Sequence, residues 1–226
     1  QANHIAREVT LQVNDEKEIK PLKEVVESLS SYSTAQLSSK EIDYSRALLQ
    51  TETKGVGKQR IQIHRLSIPR GETFKVVLSE GTEVFLNSDS RLAYPTIFKG
   101  KERVVSLEGE AYFKVAKDAA HPFIVKSGNL QIRVLGTEFN VRSYSPTDVR
   151  VTLITGKVAV SDTCGVHSVE MVPGQSVQLS SDGTFAVNEV DIESFLYWKE
   201  GFFYFDDIAL VDMMKEIGRW YNIDIE

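Results

Sequence analysis

Phe74-Lys75-Val76-Val77-Leu78-Ser79-Glu80-Gly81-Thr82-Glu83-Val84-Phe85-Leu86 reads as two strands and the turn that joins them. Apolar side chains stand at 74, 76 and 78 and again at 84 and 86. That is the period of two by which a strand sends one face to a core and the other to water. Glu80-Gly81 breaks the run where the chain must reverse, and glycine supplies the positive φ that such turns require. The same grammar repeats on the C-terminal side at Leu130/Ile132/Val134, Phe139/Val141, Val149/Val151/Leu153, Val158/Val160, Val177/Leu179 and Phe185/Val187. Turn signals punctuate it: Pro69-Arg70-Gly71, Glu108-Gly109, Ser127-Gly128-Asn129, Thr155-Gly156, Pro173-Gly174 and Asp182-Gly183. Short strands at roughly 8–12-residue intervals predict a mainly β fold over 59–190, built of stacked antiparallel β-sheets as a sandwich or irregular β-stack.

Both flanks differ from this middle. Residues 1–58 form a lead-in, with an alternating stretch at Val9-Thr10-Leu11-Gln12-Val13 and a charged turn at Asn14-Asp15-Glu16. A short amphipathic helix is expected after Pro21, on Leu22, Val25, Val26 and Leu29. Ser28–Ser39 then reads as a Ser-rich loop, and Gly55 and Gly57 mark a further break. Residues 191–226 begin with one or two helical turns that end at Gly201. A short aromatic strand, Phe202-Phe203-Tyr204-Phe205, follows. Asp206-Asp207 stand where they can cap a helix carrying Leu210, Val211, Met214, Ile217 and Tyr221, and Ile223-Asp224-Ile225 alternates as a second strand. Strand, helix and strand make a small α+β (βαβ) unit that stops abruptly. The chain opens at Gln1 and is read as an excised fragment.

Composition excludes several classes of function. Of 226 residues, 42% are hydrophobic and 26% charged, as in ordinary globular proteins, so a sizeable core can be buried. The net charge of −6, with basic residues interleaved among acidic ones, offers nothing to a nucleic acid. No apolar run approaches the ~20 residues that span a bilayer. The single cysteine, Cys164, has no internal disulfide partner and reads as an inert thiol. His4, His64, His121 and His167 form no local metal-ligand pair; His64 reads as part of a strand's polar face and His121 as a loop residue. Glu108-Gly109-Glu110 has to be tested as an acid/base dyad, but it reads better as a bend with solvent-facing carboxylates on either side. No nucleotide-binding glycine pattern or nucleophile elbow appears. The expectation is no enzyme, no cofactor and no metal.

The order of the turns is more specific than any one of them. Ile68-Pro69-Arg70-Gly71-Glu72-Thr73-Phe74 leads into Leu78-Ser79-Glu80-Gly81-Thr82-Glu83-Val84-Phe85-Leu86-Asn87, which is similar to "LPDGTxVxLN". Leu107-Glu108-Gly109-Glu110-Ala111-Tyr112-Phe113-Lys114-Val115 resembles "LxGEAYFxV", and Pro122-Phe123-Ile124-Val125 resembles "PFxV". Val134-Leu135-Gly136-Thr137-Glu138-Phe139-Asn140-Val141 resembles "VLGTxFNV". These are hallmark stretches of the FecR domain family in its Bacteroidetes form, and the resemblance covers roughly 68–190. The stretch Val9 to Ile19 also resembles the family's lead-in "LxLxDGxxI", departing from its Asp-Gly at Asn14-Asp15-Glu16, and Ser79-Glu80 departs from the family's Pro-Asp before Gly81. The segment Leu22–Ser39 has no counterpart. Trp198 through Ile223 resembles the start of the STN-like C-terminal domain that follows in these proteins.

That resemblance implies the periplasmic, signal-receiving region of a transmembrane anti-sigma factor. Such a region contacts the N-terminal signalling domain of a TonB-dependent outer-membrane transporter, and its state reaches an ECF sigma factor through a cytoplasmic segment and a membrane helix that this sequence lacks. A partner is expected to add to the aromatic segment Phe202, Phe203, Tyr204 and Phe205 and the helix beside it. The alternative reading is a carbohydrate- or peptidoglycan-binding β domain that stacks sugars on Tyr94, Tyr112 or Tyr144. A β-barrel hydrolase is a third, disfavoured by the missing dyads.

Overall fold

A computed structural model describes residues 8–14, 19–29, 36–45, 61–145, 148–180 and 184–225, with the backbone alone at 26–29 and 148. Its strands are β1 (Thr10–Val13), β2 (Lys20–Pro21), β3 (Gln36–Leu37), β4 (Glu41–Asp43), β5 (Ile63–Ile68), β6 (Phe74–Val77), β7 (Glu83–Leu86), β8 (Ser90–Pro95) and β9 (Arg103–Lys114). They continue as β10 (Phe123–Ser127), β11 (Leu130–Val134), β12 (Glu138–Ser145), β13 (Asp148–Thr155), β14 (Val158–Asp162), β15 (Ser168–Met171), β16 (Gln175–Leu179) and β17 (Phe185–Glu189). The helix expected after Pro21 is α1 (Leu22–Leu29).

Hydrogen bonding sorts these strands into two layers. One runs β2-β1-β5-β8-β9-β10-β11-β14-β15. The other runs β3-β4-β6-β7-β9-β12-β13-β16-β17. Pairing is antiparallel except between β4 and β6 and between β9 and β10. The mainly β expectation therefore holds. The lead-in strands β1 to β4 are hydrogen-bonded into the same layers as the strands that follow.

Strand β9 belongs to both layers. Its first half pairs with β8 and β10, and its second half with β7 and β12. The transfer occurs at Gly109, where the expected bend lies inside one continuous strand and not between two. Gly109 has φ +91°, and a Cβ there would fall 2.7 Å from the Ser90 Cα. No side chain fits at that point, so the chain can cross only on glycine.

The core lies between the layers. Leu66, Leu92 and Leu107 of one meet Val76, Leu86, Phe113, Phe139 and Val151 of the other in a single buried cluster. Phe113 and Phe139, opposite each other on β9 and β12, stack with centroids 5.1 Å apart, and Phe123 packs 6.2 Å from Phe113. Each such ring is worth roughly 1.5–3 kcal/mol in removed apolar surface.

Two readings of exposure are corrected here. His64 is fully buried, because β5 turns His64, Leu66 and Ile68 inward and Ile63 outward. Its Nδ1 lies 2.8 Å from the Tyr44 hydroxyl, to which Tyr94 donates over 3.2 Å, and this partner lets an imidazole occupy an inward position. Burial lowers its pKa from 6.5 to about 4. The aromatic platform for sugars does not exist as expected either: Tyr94 and Tyr112 are buried and Tyr144 is half-buried. The charged turn beyond Asn14, the serines at 30–35, Gly55, Gly57, Asp182-Gly183 and His4 lie outside the described residues.

Candidate functional site: a C-terminal arm clasped to the sheet

After β17 the chain makes two short 3-10 turns, Glu193–Phe195 and Tyr197–Glu200, and the second ends at Gly201 in the left-handed conformation. Residues 202–205 have no regular secondary structure, and helix α2 spans Leu210–Tyr221. Neither 202–205 nor 223–225 pairs in a β-ladder among the described residues, so the two strands expected around the helix are not formed there. The expected capping by Asp206-Asp207 is also absent. Ala209 occupies the N-cap, because Asp207 has φ +46° and turns the chain before the helix begins. No residue of 191–225 belongs to the hydrophobic cluster of the β layers.

The four aromatics singled out from sequence divide between two faces. Phe203 and Phe205 turn inward and stack on each other at 5.6 Å, and Phe203 meets Trp220 edge-on at 5.3 Å and Tyr221 at 6.0 Å. Phe202 and Tyr204 point the other way and are 63% and 50% exposed. Leu210, Val211 and Tyr221 of α2 are exposed to a similar degree. An amphipathic helix normally turns its apolar stripe to the body of the protein. Here much of that stripe faces solvent, and polar side chains attach the helix.

The attachment centres on Glu110, which β9 places beyond the bend on the outer face of its layer, whereas Ala111 and Phe113 enter the core. It was read as solvent-facing, but it is buried. Asn140 Nδ2 donates to its Oε1 over 2.9 Å and Asn87 Nδ2 to its Oε2 over 3.0 Å. Asn140 Oδ1 has no partner among the described residues. Arg142 faces Glu110 across the β9–β12 ladder, with Nη1 3.6 Å from Oε2, while its Nη2 pairs with Glu216 of α2. Burial opposes the charge of Arg142, but Glu110 and then Glu216 outweigh it, and its pKa is held above the ordinary value. Glu108, by contrast, faces solvent and pairs with Arg91, so the two carboxylates share no site.

Other contacts complete the clasp. Arg219 lays its guanidinium 3.9 Å over the Tyr144 ring, whose hydroxyl donates to the Ser88 carbonyl over 2.9 Å. Burial first, and then Glu110, push the Tyr144 pKa up. The Gly71 N–H donates to the Arg219 carbonyl, and Arg70 donates to the Ile223 carbonyl and to Asp224. Ahead of the helix, Lys199 sits 4.3 Å over the ring of Tyr112, the next outward residue of β9. A cleft of about 360 Å³ runs along this seam between Phe74, Phe85, Trp198 and Lys199. The seam is thus not packed like a core.

Sequence reasoning did not find Arg142, Tyr144, Glu216 or Arg70 as a set. It did quote the residues at their centre. Asn87, Glu110 and Asn140 are polar residues of three separate hallmark stretches, and the fold brings them onto one carboxylate.

Comparison with known proteins agrees with this architecture. The model of the FecR protein family matches residues 64–159, which include Asn87, Glu110 and Asn140. Two crystal structures of candidate anti-sigma factors from Parabacteroides distasonis ATCC 8503 superpose with TM-scores of 0.67 and 0.66, each at 31% identity. The matches cover 71% and 70% of this chain and 75% and 74% of those chains. The chain belongs to the FecR family. Among the described residues of this FecR-family protein, no group of three His, Cys, Asp or Glu is placed to hold a metal, and no helix is long and apolar enough to cross a membrane. His121 and His167 each pair with a neighbouring aspartate, Asp118 and Asp162, in separate exposed loops, and Cys164 is exposed. The curated proteins include no match.

Proposed function

We propose that this FecR-family chain is the periplasmic, signal-receiving region of a transmembrane anti-sigma factor. In this reading it relays the state of a TonB-dependent outer-membrane transporter to an ECF sigma factor, and it is regulatory rather than catalytic. Family membership supports the regulatory role, and the candidate anti-sigma factors of the same fold support the anti-sigma assignment. The observation that carries the receiving role is the arm, an apolar and aromatic face left exposed on a segment outside the core. Residues 191–226 are then the start of an STN-like domain. Phe202 and Tyr204 make the contact, and Phe203 and Phe205 hold them in place. The exposed acidic residues Glu200, Asp206 and Asp207 lie in the same segment, so it favours a partner with basic residues around an apolar centre.

Titrating the chain with the N-terminal signalling domains of the TonB-dependent transporters of its own organism tests this. Saturable binding that weakens in Phe202→Ala and Tyr204→Ala is the expected result. Absence of binding at high micromolar concentration, together with tight binding to a glycan, overturns it.

A further inference from the structure

The arm is held to the β layers in an unusual way. Beside the cleft that Trp198 lines with Phe74 and Phe85, its contacts there include ion pairs, cation–π stacking and hydrogen bonds: Glu216 on Arg142, Arg219 on Tyr144, Arg70 on Ile223 and Asp224, and Lys199 on Tyr112. The participating charges are partly open to water, with Arg142 26%, Glu216 21% and Arg70 27% exposed at the side chain. Salt weakens such partly buried pairs less than fully exposed ones, but it does not weaken a close-packed apolar interface at all. A helix of 12 residues is marginal without tertiary contacts, so the clasp is what keeps α2 in place.

The two main contacts converge on one short stretch of chain. Glu110 and Tyr112 are successive outward residues of β9, directly after the glycine at which β9 changes layer. Lys199 covers Tyr112. Arg142 is shared between Glu110, which Asn87 and Asn140 hold from within the fold, and Glu216, which the arm supplies. If the arm leaves, Arg142 loses one of its two carboxylates and Tyr112 loses its cover.

We propose that the arm, residues 191–225, is a detachable lever: an electrostatic clasp on Arg142 docks it, its release leaves both β layers intact, and the Glu110–Tyr112 stretch of β9 reads its docking state. The lever is a property of this chain alone. Its use in signalling rests on the receiving role proposed above.

Both tryptophans of the chain, Trp198 and Trp220, lie in the arm, so intrinsic tryptophan fluorescence reports on it selectively. The test follows tryptophan emission, together with amide exchange by mass spectrometry, from low salt to about 1 M NaCl, where the Debye length falls to about 3 Å. The expected result is a red shift and faster exchange confined to 191–225, with exchange in β5 to β16 unchanged. Glu216→Ala, which removes the arm's half of the clasp and keeps helix propensity, produces the same shift at low salt, as does Arg142→Met. Arg91→Met, which removes the exposed pair with Glu108, does not. The proposal is overturned if the arm keeps its emission and protection in salt and in Glu216→Ala until the β layers themselves unfold. It is equally overturned if the arm and the β layers lose protection together. No partner is used, so failure here is distinct from failure to bind a transporter domain.

Discussion

Glu110 and Arg142 are opposite residues on β9 and β12, with the guanidinium 3.6 Å from the carboxylate, and Arg142 reaches on to Glu216. This one pair joins the family's central strand to the arm. The carboxylate does not depend on Arg142 alone, since both its oxygens accept from asparagine amides. It therefore organises the layer from which β12 presents Arg142 and Tyr144.

Replacing Glu110 with Gln should cost about 2–3 kcal/mol. An amide has a single acceptor oxygen, so the amide donor of either Asn87 or Asn140 would face another donor in a buried site. Urea denaturation is the measurement, and a variant within about 0.5 kcal/mol of wild type refutes the convergence.

Glycines that look alike in sequence should differ sharply. Gly109 and Gly81 have φ of +91° and +89°, but a Cβ at Gly81 meets nothing within 4 Å, whereas at Gly109 it collides with Ser90 backbone. Gly81→Ala should cost about 1 kcal/mol of backbone strain. Gly109→Ala must also displace β8 from the bend. It is expected to lower the melting temperature several times as much, or to prevent soluble expression.

Stability should fall with acid in a way traceable to His64. Burial holds its pKa at about 4, below the ordinary 6.5, so the folded state prefers the neutral ring. The unfolded chain then binds more protons between those values. The stabilisation is complete above pH 6.5 and is lost as the pH falls through about 4, amounting to about 3 kcal/mol. Comparing the pH dependence of unfolding in wild type and His64→Leu isolates this share. Equal slopes between pH 4 and 6.5 would place the proton elsewhere.

The two faces of the aromatic segment should separate by substitution. Phe203→Ala removes the ring that contacts Phe205, Trp220 and Tyr221, and should loosen α2 by about 2–3 kcal/mol, seen as faster amide exchange in 210–221. Phe202→Ala removes an exposed ring and should leave that exchange unchanged. If the two variants behave alike, the division into faces is wrong.

The structure bears out much of what the alternation implied about the fold. Phe74/Val76, Val84/Leu86, Leu130/Ile132/Val134 and Val149/Val151/Leu153 all lie on strands with those residues buried. Where a strand carried a polar residue inward, as β5 does with His64, periodicity gave the wrong face. Hydropathy cannot register the hydroxyl of Tyr44, twenty residues away, that partners the ring's Nδ1. Strand β3 falls in the stretch that reads as a Ser-rich loop, and β4 gives no signal, for a related reason: Gln36-Leu37 and Glu41-Ile42-Asp43 are too short to show a period and are fixed by pairing with each other and with β6.

At the candidate site the division is sharper. The sequence by itself determined the run of short strands, the helix after Pro21, the family-like stretches around Asn87, Glu110 and Asn140, and the aromatic segment 202–205. Local composition and spacing carry each of these. Only the tertiary structure decided that the three polar residues share one carboxylate, that Arg142 links it to Glu216, and that Phe202 and Tyr204 face out while Phe203 and Phe205 face in. Those relationships join residues far apart in the chain. They arise from β9 crossing between layers at Gly109, a geometry set by the close approach of Ser90 and by pairing on both sides of the strand.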